Sequence, residues 1–156
     1  MKVRRAQGKD IRKIDTLLSE VLEIHAQARP DLFISGTRKY TEEELTSILE
    51  NDSTPVFAAV DEDDRLVGYA FCQIEEPVIS NNMIPRKCIY IDDLCVEEGH
   101  RGEHIGHQLL EYVKQYAKDI GCYHITLNVW KGNDSAEAFY KKEGMTVQKT
   151  KLEYIL

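Results

Sequence analysis

Two adjacent carboxylates interrupt an apolar run near the middle of the chain. Asp92 and Asp93 lie within CIYIDDLCV, residues 88–96. A run that is apolar on both faces is typical of a central strand, so the chemistry is expected near this strand. Carboxylates held there can position a cation or relay a proton. They can also form a solvated bulge or satisfy backbone donors.

The next segment contains a glycine-bearing turn that leads into a helix. The turn spans Glu97–Gly106 and precedes Leu109, Val113 and Ala117, which lie on one helix face. Such a turn presents free backbone N–H groups at the positive end of the helix dipole, which predicts binding of a phosphate or pyrophosphate. It is not a nucleotide P-loop, because no Lys-Ser or Lys-Thr follows the glycines, and the Rossmann pattern GxGxxG is absent.

A second stretch, NVWKGNDSAEAFYKKEGM, covers residues 128–145. Asn133 and Asp134 begin a helix in which Glu137 stands at capping-box spacing from Asp134, and Gly144 ends it. The helix carries Tyr140. In an arbitrary helix such a Tyr is most often a core or surface aromatic residue, so Tyr140 alone predicts no chemistry.

Together the two stretches resemble the GNAT superfamily of acyl-CoA-dependent N-acyltransferases, and the resemblance covers nearly the whole chain. The superfamily motif Arg/Gln-x-x-Gly-x-Gly/Ala is matched by Arg101, Gly102, Glu103, His104, Ile105 and Gly106. The later pattern Asn-x-x-Ala-x-x-Phe-Tyr-x-x-x-Gly is matched by Asn133, Ala136, Phe139, Tyr140 and Gly144.

One position departs from the first motif. His104 stands where the first motif glycine is expected. If this position needs a positive φ, His is one of the few non-glycine residues that tolerate it, at a cost. A second hypothesis is that His104 aims its imidazole at a phosphate.

The resemblance implies acetyl-CoA as the cosubstrate and no metal. In this family the end of the central strand lies along the pantetheine, so we expect the backbones of Leu94, Cys95 and Val96 to pair with it. The N–H groups from Arg101 to Gly106 are expected to hold the pyrophosphate, with Asn133 as a further cofactor contact.

The resemblance also implies direct attack of a primary amine on the acetyl thioester. The amine must be neutral, although a free alkylammonium has a pKa near ~10.4. Asp92 is expected to position the amine and relay its proton through water, because an Asp of ordinary pKa is a poor direct base. Tyr140 is expected to protonate the departing thiolate, and the N–H of Leu94 to meet the oxyanion.

Within the superfamily, YIDDLCV, VEEGHRGEHIG, NVWKGN and the ending LEYIL are most similar to the diamine and polyamine acetyltransferases. Those enzymes carry an acidic residue followed by Asp on this strand, which Asp92 and Asp93 match. A polyamine-like amine is therefore the expected substrate, bound by His25, Asp92 and Asp93. His25 lies near Arg29 at the end of the first helix, where it lines the acceptor cleft or caps the helix.

The elements that must position these residues alternate between strand and helix. The patterns predict a helix from Ile11 to Ala28 with Asp10 as its N-cap, a helix from Thr41 to Leu49, and helices after Gly106 and Asn133. They predict strands at Val3, Val56–Val60, Leu66–Ile74, Cys88–Val96 and Tyr123–Trp130, and a terminal strand or strand pair over Thr146–Leu156. The class is mixed α/β. The resemblance implies a GNAT fold, a mixed, mostly antiparallel twisted sheet of six to seven strands flanked by about four helices.

Composition excludes several classes of protein. With 156 residues, 42% apolar and 30% charged, the chain is expected to form one domain over residues 1–156. No apolar run approaches the roughly 20 residues of a membrane span, and no signal-peptide core is present, so we expect a cytoplasmic protein without a membrane partner. The net charge of −7 argues against nucleic acid and suits a cationic or neutral amine.

The metal-ligating residue types show no recognised spacing. Cys72, Cys88, Cys95 and Cys122 match no redox or zinc pair, and free thiols are expected. The five histidines are His25, His100, His104, His107 and His124. Because the segment with three of them is assigned to pyrophosphate and has no partner ligand at a recognised spacing, no metal site is expected.

Other functions stay open at this point. An acyl-CoA-binding sensor without catalysis would keep the same fold and loop, and His104 favours it slightly. Acetylation of a protein N-terminus, an aminoglycoside or an amino acid is also compatible with the motifs. The loops at Pro30–Tyr40 and Pro77–Pro85 decide the acceptor, and neither contains a readable motif. A homodimer is a further expectation, because terminal strands of this fold often pair between subunits.

Overall fold

A computed structural model describes residues 1–156 as a five-stranded sheet with helices on both faces. The strands are β1 (Lys2–Arg5), β2 (Val56–Val60), β3 (Leu66–Glu75), β4 (Cys88–Val96) and β5 (His124–Leu127). The helices are α1 (Ile11–Ala28), α2 (Glu42–Glu50), α3 (Ile105–Asp119) and α4 (Asp134–Lys142). The mixed α/β class and the number of helices are confirmed.

The sheet has the strand order β1-β2-β3-β4-β5. The first four strands pair antiparallel, and β5 pairs parallel to β4. The predicted mixed, mostly antiparallel sheet is therefore confirmed, and β4 is an interior strand. The predicted six to seven strands are wrong. A strand needs a partner for its backbone groups, and residues 146–156 pair with no strand, while β5 pairs along His124–Leu127 alone.

Each face of the sheet carries its own core. On one face, α1 and α2 bury Ile14, Leu17 and Leu45 against β2 and β3. On the other face, α3 buries Leu109, Val113 and neighbouring residues against β2, β3 and β4. Full burial of one such side chain contributes about 1.5–3 kcal/mol. The two layers therefore hold the sheet from both sides and fix the ends of α1 and α3 at β4.

Asp10 does not act as the side-chain cap of α1. The α1 boundary is at Asp10, but the carboxylate makes no capping hydrogen bond to the helix. Instead it accepts hydrogen bonds from both Arg4 terminal nitrogens, at 2.7 and 3.1 Å, and from the backbone N–H of Gln7 at 2.8 Å. A buried guanidinium competes better for this carboxylate than a helix amide, because both charges are neutralised.

The predicted start of α2 and the predicted ends of α3 and α4 agree with the structure, whereas Asp134 and Glu137 form no capping box at the start of α4. Thr41 accepts a hydrogen bond from the Glu44 amide, and the Glu44 carboxylate accepts one from the Thr41 amide, as a capping box requires. Gly121 and Gly144 follow α3 and α4 with φ of +76° and +87°.

The last residues run along the surface without regular structure. Leu152 and Tyr154 are each 87% exposed. Glu153 forms an ion pair with Arg29 at the end of α1, at 2.6 Å. The predicted terminal strand is thus replaced by a segment that an ion pair holds against α1.

All four cysteines are free thiols, as predicted. Burial is the main cause that raises the pKa of the Cys72 and Cys95 thiols to about 12, so both are protonated at neutral pH. No helix of the chain combines the length and the apolar character of a membrane span.

Gly68 on β3 allows the close approach of β4 and α3. A Cβ at Gly68 would lie 2.9 Å from the carbonyl oxygen of Cys95 and 3.4 Å from the side chains of Ile105 and Leu109. We expect Gly68→Ala to lower the free energy of unfolding by about 1–3 kcal/mol, because backbone of β4 must move. Chemical denaturation measures this difference.

The control is Gly8→Ala, since a Cβ at Gly8 would meet no atom within 4 Å. Equal stability of the Gly68 and Gly8 variants would show that the β3–β4 contact tolerates a methyl group.

Candidate active site

An open edge of β4 forms the wall of a cleft. β4 pairs with β5 along Cys88–Ile91, and β5 ends at Leu127. Beyond Ile91, residues 93–96 of β4 pair with β3 on one side alone. Their other edge, including part of the backbones of Leu94, Cys95 and Val96, therefore carries backbone groups without a strand partner. An extended molecule with amide groups can pair with this edge as an added strand would.

A bulge in β4 begins this open edge. Phe71 of β3 opposes Asp93, and the next residue, Cys72, opposes Ile91, so Asp92 is an extra residue without a partner on β3. Bulges bend a strand, increase its twist and redirect side chains. Here the bulge brings both carboxylates to the face covered by α1 and α2, where each finds a polar partner.

The loop before α3 has a conformation that exposes its amides. Gly102 and His104 both have positive φ, +87° and +61°. The N–H groups from Gly102 to His107 donate to no carbonyl or side chain of the protein, because the hydrogen bonds of α3 begin after them. These amides lie at the positive end of the α3 dipole, so the residues fit the predicted anion site.

The unusual residue of the first motif keeps the glycine conformation. His104 occupies the left-handed region and precedes the first residue of α3. The position therefore has the positive φ that the sequence analysis considered, and a histidine adopts it. The side chain of His104 is exposed, so it does not disturb the backbone conformation of the loop.

The two motifs meet where α3 and α4 pack together. A Cβ added to Gly106, the second residue of α3, would lie 3.2 Å from the ring of Phe139, which favours a small residue there. Phe139 contacts Tyr140 edge-to-face at 5.0 Å. The side chain of Asn133 caps α4 by accepting a hydrogen bond from the Ala136 amide, so its observed role is structural.

The two carboxylates have different environments. Asp93 accepts a hydrogen bond from the hydroxyl of Tyr69, at 2.7 Å. Burial raises the pKa of Asp93, and the Tyr69 hydroxyl and the charge of Lys39 oppose that rise. Asp92 forms an ion pair with the Lys39 ammonium at 2.7 Å, with 23% of the Asp92 side chain exposed.

Tyr140 is a protonated phenol at neutral pH. Burial is the main cause that raises its pKa, and the charge of Asp93 raises it further. Tyr140 packs against the same hydrophobic cluster as Leu94 and Val96 of the open edge.

An aromatic cluster lies between α1 and the end of β5. Phe33 contacts His25 at 5.1 Å and Trp130 edge-to-face at 5.5 Å between ring centroids. The guanidinium of Arg29 lies 5.8 Å from the centre of the Trp130 ring. His25, which the sequence predicted to line the acceptor cleft or to cap the helix, thus contacts Phe33 in this cluster.

The histidines of the α3 region have separate partners. His100 contacts Glu103 at 3.2 Å, while His107 contacts Glu143 at 2.7 Å. The side chains of three possible metal ligands, His107, Glu111 and Glu143, lie close together. The Lys114 ammonium forms an ion pair with Glu111 at 2.7 Å, so this carboxylate already has a cationic partner.

Several residues of this region carry no motif. Lys39 and Tyr69 were not predicted, because they reach the carboxylates through a loop path and a strand register that periodicity does not reveal. Phe33 was not predicted either, although Phe33 and Lys39 both lie in the loop Pro30–Tyr40 that was expected to decide the acceptor.

The model of the acetyltransferase (GNAT) family matches residues 18–145. The chain belongs to this family. GNAT acetyltransferases use acetyl-CoA, which suits the open strand edge and the free amides of the α3 loop.

Three similar proteins cover most of the chain. A point mutant of the BH1408 protein from Bacillus halodurans is 31% identical, with a TM-score of 0.95 over 100% of this chain and 99% of that one. The glucosamine 6-phosphate N-acetyltransferase of Arabidopsis thaliana is 24% identical over 93% of this chain and 89% of its own. An aminoglycoside acetyltransferase from an uncultured soil metagenomic sample, solved with sisomicin, is 21% identical, with a TM-score of 0.74 over 99% and 94% of the two chains. None of these three is named as a diamine or polyamine acetyltransferase, so the expected finer similarity is not shown.

The GNAT loop supplies a stability test of His104. We expect His104→Gly to retain or raise the free energy of unfolding, because Gly adopts positive φ without steric cost. His104→Val should lower it by about 1–2 kcal/mol, since a β-branched residue is strained there. Urea denaturation of both variants measures the difference. A Val variant as stable as the parent would contradict the assigned loop conformation.

Proposed function

We propose that this protein transfers the acetyl group of acetyl-CoA to a primary amine of a cationic small molecule. The observation that carries the proposal is the ion pair of Asp92 with an alkylammonium, the side chain of Lys39, at 2.7 Å. An acceptor amine has the same chemical group. Asp92 therefore already binds the kind of group that the reaction requires.

The residues that would hold acetyl-CoA are those with free backbone groups. The open edge at Leu94, Cys95 and Val96 would pair with the pantetheine amides, and the N–H groups of Gly102–Gly106 would face the pyrophosphate. The expected contribution of the Arg101 N–H is wrong, because this group already donates to the carbonyl oxygen of Glu98 at 3.2 Å. In this assignment the side chains of Arg101, Glu103 and His104 contribute little, since the exposed loop acts through its backbone. Bound there, the cosubstrate supplies an acetyl thioester.

The acid and base roles follow from the two environments. Asp92 positions the ammonium and passes its proton to water, because a partly exposed carboxylate has solvent beside it. Tyr140, with a raised pKa, keeps its proton at neutral pH and can give it to the departing thiolate. The N–H of Leu94, on the open edge, is the donor that we assign to the oxyanion.

The charges around the cleft favour a polycationic acceptor. Asp92 lines a small pocket together with the aromatic rings of Tyr40 and Phe71, and carboxylates with aromatic faces bind ammonium groups well. The nearby cation Arg29 is already paired with Asp31 and Glu153. A phosphorylated amino sugar would need an unpaired cation, so we favour a polyamine or an aminoglycoside.

The first test of this proposal is Tyr140→Phe. With acetyl-CoA and a panel containing spermidine, an aminoglycoside and glucosamine 6-phosphate, we expect kcat to fall about 100-fold or more, because the general acid is lost. Thiol release measures the rate. Tyr112→Phe is the matched control, since Tyr112 lies on α3 against Phe57. Binding of acetyl-CoA without turnover of any amine would favour the acyl-CoA sensor instead.

The second test is Asp92→Asn. Loss of a charge-assisted hydrogen bond costs about 1.5–3 kcal/mol, so we expect KM for a polycationic amine to rise roughly 10- to 100-fold. Asp119→Asn makes the same charge change at the far end of α3 and should leave KM unaltered. An unchanged KM in the Asp92 variant would remove Asp92 from acceptor binding.

A further inference from the structure

An amine of the chain itself occupies the acceptor side of the cleft. Lys39 lies in the irregular segment between α1 and α2, 53 residues before Asp92, and its Nζ donates a hydrogen bond to Asp92 Oδ2 at 2.7 Å. The Lys39 ammonium also lies 5.4 Å from the centre of the Tyr40 ring. A carboxylate and an aromatic face thus bind the Lys39 ammonium, as they would bind an external cationic amine.

Contacts with α1 hold this segment in place. Glu23 of α1 accepts hydrogen bonds from the Ser35 hydroxyl, at 2.6 Å, and from the Gly36 amide, at 2.5 Å. Arg38, next to Lys39, forms an ion pair with Asp15 of α1 at 3.3 Å. The approach of Lys39 to Asp92 is therefore fixed by several side chains along α1.

We propose that Lys39 is a self-acetylation site, so that the chain transfers an acetyl group to its own Lys39 Nζ when no external amine fills the cleft. This inference rests on the proposed function, because it uses the same cosubstrate and the same machinery. It goes beyond that function by assigning a covalent modification to one lysine among the many of the chain.

The step balances without any further reactant. Lys39 first gives one proton to water through Asp92, and the neutral nitrogen attacks the carbonyl carbon of the acetyl thioester. The N–C bond forms, the C–S bond breaks, and the nitrogen loses its second proton. Tyr140 protonates the thiolate and regains a proton from solvent. The products are acetylated Lys39, CoA thiol and one released proton.

The modification would change the acceptor site. Acetylation removes the positive charge of Lys39, so the ion pair with Asp92 is lost. Asp92 is then available to an external ammonium, and the segment that carries Lys39 loses one attachment to β4. Self-acetylation would thus convert a cleft closed by its own amine into one open to substrate.

The test is incubation of the purified full chain with acetyl-CoA alone, followed over time by peptide mass spectrometry. We expect Lys39 to gain one acetyl group about tenfold or more faster than the exposed Lys149, because proximity favours an amine held at the site. The rate should not depend on protein concentration. Tyr140→Phe should slow the acetylation of Lys39 about tenfold or more without slowing that of Lys149. Lys39→Arg should abolish the fast gain of one acetyl group in the mass of the intact protein.

The outcomes separate this inference from the proposed function when turnover of the amine panel is measured in parallel. Amine turnover with Lys39 labelled no faster than Lys149 overturns self-acetylation and leaves the proposed function standing. Fast Lys39 labelling without turnover of any panel amine supports self-acetylation and contradicts the acceptor class. If neither amine turnover nor fast Lys39 labelling is observed, the proposed function and self-acetylation are both overturned. If Tyr140→Phe does not slow the labelling of Lys39, the enzymatic step is contradicted.

Discussion

The separation of β4 from β5 after Ile91 is the constraint on which the rest of the site depends. A strand buried inside a sheet normally has both edges paired, yet Asp93–Val96 pairs on the β3 side alone. The bulge at Asp92 bends the strand at this point. One local irregularity thereby creates an open edge for a cosubstrate and turns two carboxylates toward the acceptor side.

The two sequence motifs act as one unit because they meet in space. Gly106 lets Phe139 approach α3, so the helix that bears Tyr140 packs beside the loop with the free amides. Gly68 lets β3 lie close to β4 beneath the same loop. Small residues at these contacts bring the anion site, the open edge and the phenol into one cleft. The family match over residues 18–145 includes all of these elements.

Local chemistry explains which parts were predictable from the sequence. The capping box at Thr41, the glycine ends of α3 and α4 and the left-handed His104 depend on neighbouring residues, so pattern alone identified them. The strand count failed because residues 146–156 have a strand-like pattern without a partner to pair with. Lys39 and Tyr69 reach the carboxylates across 53 and 24 residues, a proximity that only the folded register and the loop contacts create.

Amide hydrogen exchange with and without acetyl-CoA tests the central claim most directly, because that claim concerns backbone N–H groups. The account predicts that acetyl-CoA slows exchange of amides within residues 92–96 and 102–107 and leaves the β1–β2 edge of the sheet unaffected. Acetyl-CoA binding that leaves both segments unprotected, or that protects a different surface instead, would contradict the assignment of the cleft.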